Sequence, residues 1–133
     1  MISLNPQRLV HVVYKVTIKG EFPSLNEFIF ANRSNPYVGN KMKKESQYLI
    51  SMFIKLQLKG IHIKEPIHIE YRFYCKNRKR DLDNISGYFH KVFQDALVNC
   101  NVIDNDGWNN ITGFTDLFFI DKSNPRIEVF LST

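Results

Sequence analysis

The stretch from Ile67 to Asn99 constrains the fold more than any other part of the chain. IHIEYRFYC (67–75) alternates strictly, with Ile67, Ile69, Tyr71, Phe73 and Cys75 on one side, which is the period of a half-buried strand. A charged turn, KNRKRDLDN, then changes the period. From about Asn84 to Asn99 the residues Ile85, Phe89, Val92, Phe93, Ala96 and Leu97 form one continuous helical face, with Asp83 or Asn84 expected as its cap. A strand with one apolar side feeding a helix with one apolar face has to bury both in a shared core.

The flanking segments extend this unit. Residues 8–19, RLVHVVYKVTIK, place Val10, Val12, Tyr14, Val16 and Ile18 on one strand face before Gly20 and Pro23 interrupt. GEFPSLNEFIFANRSNPYVGN reads as a loop of about 20 residues, long enough to suggest a substrate-facing role. From about Lys41 to Lys59, Met42, Leu49, Met52, Phe53 and Leu56 recur at helical spacing, and Gly60 is a suitable stop. GFTDLFFID and RIEVFLS, separated by KSNP, read as a closing hairpin. The expected architecture is a single α+β (α/β-like) domain spanning residues 1–133, with a mixed sheet and two main helices.

Composition narrows the function classes. Eighteen Lys+Arg against 13 Asp+Glu give a formal charge of +5 and a pI near 9.2, a bias toward polyanionic partners. Cys75 and Cys100 form neither a CxxC pair nor a disulfide framework, so free thiols in a reducing compartment are expected. No charged leader followed by an apolar run is present, and no apolar stretch reaches membrane-spanning length. A cytoplasmic protein with no membrane association and no small-molecule cofactor is the expectation.

The chemistry concentrates in two acidic pairs. In DLDN (81–84), Asp81 and Asp83 stand two residues apart at a helix start, where their carboxylates can converge on a hard divalent cation. Magnesium, or manganese in its place, needs only a few carboxylate oxygens and keeps waters for a phosphate to displace. Capping and dipole compensation at the helix start would use the same residues. Lys76, Arg78, Lys79 and Arg80 lie immediately upstream, ready either to pair with these aspartates or to contact phosphates. Asp104-Asn105-Asp106-Gly107 follows the helix and would reach the same point if the chain doubles back. It is not a calcium loop: with Gly107 sixth, Val102 would be first and Gly113 twelfth, where acidic ligands are required. An Asx-rich turn is the alternative.

KRDLDNISGYFHKVFQDALVNCNVIDNDGW resembles the core signature of the RusA family of Holliday junction resolvases, and Gly20, Pro23 and Asn26 resemble that family's early loop. The resemblance implies a RusA-like fold and a homodimeric, magnesium-dependent endonuclease that nicks four-way DNA junctions symmetrically. It implies Asp81 and Asp83 as metal ligands, with Asp106 best matching the third. The family writes two adjacent aspartates in that turn, whereas Asn105 separates them here, so Asp104 and Asp106 both stand as candidates. The family's helix lysine falls at Gly87, and Lys91 is the replacement candidate, one helical turn further along. The phosphate-contacting set is expected to be Lys76, Arg78, Lys79, Arg80, Asn26, Lys43 and Lys44, with Lys41 beside them. Selectivity would come from DNA shape, and two symmetric cuts require two active sites and hence a two-fold dimer. A non-catalytic binder of branched DNA, or a nuclease of the same chemistry acting on flaps or forks, is the alternative. Asp95 reads as structural, bonding to the following turn. The four histidines share no metal-ligand spacing, and Trp108, Phe28 and Phe30 could stack on unpaired bases but more readily serve packing.

Overall fold

The computed structural model describes residues 11–133, in the order β1 (Val13–Lys19), α1 (Leu25–Ser34), α2 (Pro36–Gln57), β2 (Ile67–Cys75), α3 (Leu82–Asn99), β3 (Ile111–Ile120) and β4 (Arg126–Ser132). Residues 8–10 of the expected first strand lie outside the described residues. The four strands form one mixed sheet in the order β1-β4-β2-β3, with β2 and β3 parallel and the other pairs antiparallel. One α+β layer pair results.

The alternation in β2 holds at every position: Ile67, Ile69, Tyr71, Phe73 and Cys75 are all buried. Phe89 of α3 packs edge-on against both Tyr71 and Phe73, and Phe22 closes over it at 5.3 Å between ring centroids. Tyr71 keeps its hydroxyl satisfied by accepting from Gln94 Nε2 at 3.2 Å, and burial pushes its phenol well above the ordinary range, so it stays neutral. The Tyr88 hydroxyl lies 2.9 Å from the Ser46 hydroxyl and 3.2 Å from the Met42 carbonyl, tying α3 to α2.

Two expectations are corrected. The segment from Gly20 to Asn40 is not a loop: it holds α1 and the first turn of α2. Its capping signals are explicit, since Ser24 accepts from the Glu27 amide at 3.1 Å in a Ser-x-x-Glu box, while Asn35 accepts from Tyr37 ahead of Pro36. The closing hairpin does not form either. β4 lies between β1 and β2, so β3 and β4 flank β2 on opposite sides. Ile127, Val129 and Leu131 of β4 are buried at every second position, which suits a strand paired on both edges, whereas β3 leaves Phe114, Leu117, Phe119 and Ile120 exposed and takes the sheet's margin.

Gly39 permits the close approach of α1 and α2. A Cβ there would lie 2.7 Å from Asn32 Oδ1 and 3.0 Å from Asn32 Cα, the second of which is backbone and cannot swing away. Gly39→Ala is therefore expected to destabilise the protein by about 1–3 kcal/mol. Urea unfolding should show a lower midpoint at unchanged slope, and an unchanged midpoint would mean that the two helices separate freely.

Candidate functional site

The loop between β2 and α3 carries the first acidic pair at the carboxyl end of β2, the usual place for a ligand in a sheet containing a parallel crossover. Glu21, on the connection from β1 to α1, fastens this loop. Its carboxylate accepts from the Lys76 amide at 3.1 Å and lies 3.7 Å from Lys76 Nζ and 3.5 Å from Arg80 Nη2. Arg80 Nη1 also donates to the Phe22 carbonyl at 2.7 Å. Lys79 closes an Asx turn by donating its amide to Asn77 Oδ1 at 3.0 Å. A cleft of about 520 Å³ opens here, lined by Glu21, Pro23, Glu27, Lys76, Lys79 and Arg80.

Asp81, not Asp83 or Asn84, occupies the N-cap of α3. Its side chain makes no capping hydrogen bond, in contrast to Ser24 and Asn35 at the other two helices. Asp83 accepts from the adjacent Asn84 amide at 3.0 Å. Both carboxylates are exposed, and among the described residues neither forms an ion pair, although four cations immediately precede them. The basic cluster is turned instead toward Glu21 (Lys76 and Arg80) or toward solvent (Arg78 and Lys79).

The second acidic pair sits elsewhere. α3 ends in a left-handed residue, Asn101 (φ 59°), after which Val102 and Ile103 are buried against the sheet. Asp104 Oδ1 then lies 3.2 Å from His62 Nε2, and the other nitrogen of His62 is 2.7 Å from the Asn101 carbonyl. Asp106 is half-buried and forms no ion pair among the described residues. The 18 residues of α3 separate the two acidic pairs by about 27 Å of helix axis. The expectation that one chain returns all four carboxylates to one point is thus corrected. The reason is topological: α3 is the crossover between two parallel strands, so its start and end lie at opposite ends of the sheet. Among the described residues, no group of three or more His, Cys, Asp or Glu is placed to hold a metal within one chain.

The lysines are also rearranged. Lys91 lies 3.3 Å from Asp95 and Lys43 3.4 Å from the same carboxylate, so Asp95 links α2 to α3 rather than bonding to the following turn. Eight residues beyond Asp83, Lys91 is about 12 Å away along the axis and does not reach the first acidic pair. A Cβ at Gly87 would lie 3.2 Å from Leu25 Cδ2, so the tip of the Leu25 side chain would have to give by a few tenths of an ångström to admit the missing lysine. Lys41 and Lys44 are exposed on α2, and Asn26 is exposed in the first turn of α1. Phe28 packs on Tyr88 at 5.3 Å, whereas Phe30 and Trp108 are 74% and 99% exposed.

Neither a protein-family model nor a curated protein matches this chain. The geometry and the sequence resemblance therefore carry the functional reading. Two participants had no sequence signal. Glu21 acts on a loop 55 residues away, and His62 meets Asp104 only because the strand entrance and the helix exit share one end of the sheet.

Proposed function

We propose that the chain is a magnesium-dependent endonuclease for branched DNA, of the RusA kind, working as a two-fold dimer in the cytoplasm. The observation that carries this reading is the pair Asp81 and Asp83, exposed and unpaired among the described residues at the start of α3, directly after four cations. A structural carboxylate at the N-cap would bond the free amides of the helix, and Asp81 does not; neither carboxylate pairs with those cations among the described residues. Two exposed carboxylates beside a cluster of cations suit a divalent ion that must in turn receive a phosphate.

One chain supplies half of such a centre. Asp81 and Asp83 fit one side of a hard cation's oxygen shell, and Asp106, with Asp104 held by His62, fits the other side when it comes from a second chain. When bound, magnesium supplies activation of water and charge neutralisation at the scissile phosphate. Arg78 and Lys79 receive the flanking phosphates, while Glu21, Lys76 and Arg80 keep the loop in position. Two centres per dimer then match the two-fold symmetry of a four-way junction.

The test is cleavage of a labelled four-way junction and a matching linear duplex, with magnesium or EDTA, by the wild type and Asp83→Asn. Symmetric junction nicks that need magnesium and fall at least about 100-fold in the variant are expected, since loss of a direct ligand should exceed the effect of its outer partners. Junction binding without cleavage under any divalent ion would replace this reading with a non-catalytic binder.

A further inference from the structure

We infer that the outward face of α2 is a second nucleic-acid contact, remote from the acidic pairs, on which one duplex arm of a branched substrate lies through its phosphates. The choice of DNA rests on the nuclease reading; the contact itself requires only a duplex polyphosphate.

The chain's charge is concentrated on this helix. Between Pro36 and Lys59 five lysines accompany a single acid, Glu45, so the segment carries +4 of the chain's +5. At 3.6 residues per turn, Tyr37, Lys41, Lys44, Tyr48 and Lys55 fall within about 60° of one another, opposite the side buried through Gly39, Ser46, Ile50 and Ile54. All five are exposed, Tyr37 and Tyr48 at 73% and 68%. Among the described residues none of the three lysines forms an ion pair, whereas Lys43, off this stripe, is held by Asp95. The first half of α2 belongs to the same helix layer as the start of α3, since the Tyr88 hydroxyl donates to the Met42 carbonyl and Phe28 of α1 packs on the Tyr88 ring.

The occupant is a duplex. Unneutralised cations in a row complement phosphate, and each one that meets a phosphate releases a counterion. From Tyr37 to Lys55 the stripe runs about 27 Å, the length of about eight stacked base pairs. It is a convex ridge whose two rings stand about 16 Å apart along the axis, too far for the successive stacking that holds a single strand. The tyrosines therefore serve as hydroxyl donors to phosphate. Val38, Leu49 and Leu56 are exposed along one flank, which makes an anionic membrane surface the rival occupant.

The experiment is binding of the full chain to a labelled four-way junction and to a linear duplex, in EDTA so that nothing is cleaved, across a series of salt concentrations. The variants are Lys41→Gln/Lys44→Gln/Lys55→Gln and, as a control of equal charge, Lys19→Gln/Lys64→Gln/Lys122→Gln, three exposed lysines outside α2. Lysine and glutamine have similar helix propensities, so the α2 variant should fold. It should lower the slope of log affinity against log salt by about 2–3 and weaken binding to both DNAs at least about tenfold, while the control keeps the wild-type slope. Equal losses in the two variants, an unchanged slope in the α2 variant, or wild-type binding to phosphatidylserine vesicles and not to duplex would overturn the proposal. Binding that obeys these rules with no cleavage in magnesium would leave the contact standing and remove the nuclease.

Discussion

Asp83→Asn and Asp106→Asn, each inactive alone, should recover cleavage when mixed and allowed to exchange subunits. If each centre draws Asp81 and Asp83 from one chain and Asp106 from the other, a mixed dimer carries one doubly defective centre and one fully intact centre. At equal concentrations half the dimers are mixed, so about a quarter of the centres regain their full ligand set. Because only one centre per mixed dimer works, the recovered activity should nick one strand of a junction and rarely produce the paired nicks that resolve it. The measurement is a supercoiled cruciform plasmid assay, in which nicked circles and linear product separate. No recovery after verified exchange would mean that each centre is built within one chain, against the separation of the acidic pairs along α3. Recovery with Asp104→Asn behaving like the wild type would assign the third carboxylate to Asp106, in keeping with the engagement of Asp104 by His62 at 3.2 Å.

The second large effect is on stability. Phe89 is fully buried and sits among the rings of Phe22, Tyr71, Phe73 and Phe93, at centroid distances of 5.3, 5.9, 5.8 and 5.5 Å. Phe89→Ala removes the element that joins the helix layer, the sheet and the connection bearing Glu21. The expected cost is about 3–5 kcal/mol, a large share of the roughly 5–15 kcal/mol that holds a domain together. Thermal unfolding should shift down by roughly 10–20 °C. A shift of a degree or two would show that α3 does not anchor the core. Because Phe22 neighbours Glu21, the variant should also loosen the β2–α3 loop and weaken junction cleavage even below its unfolding temperature.

What the sequence determined by itself was local and periodic. The alternation of Ile67 to Cys75, the helical face from Ile85 to Leu97 and the Met42–Leu56 spacing each predicted an element that is present, because side-chain periodicity of 2 or 3.6 follows from backbone geometry alone. The Ser24-x-x-Glu27 box and Asn35-Pro36 also encoded two helix starts, which composition rich in Asn, Ser, Gly and Pro obscured. The identity of the acidic pairs was legible in the same way, as residue types at short spacing.

Their placement was not. Strand order is set by which edges bury the most apolar surface, so β4, buried at alternate positions, displaced β3 from the hairpin that their short link suggested. The parallel pairing of β2 with β3 made α3 a crossover, and that one fact moved Asp104 and Asp106 to the far end of the sheet from Asp81 and Asp83. Lys91 went to Asp95, Arg80 to Glu21, and Gly87 to the contact with Leu25, all through partners distant in sequence. Local spacing names the groups available for chemistry, while long-range packing fixes which of them can meet. Here it sets the two acidic pairs apart within each chain.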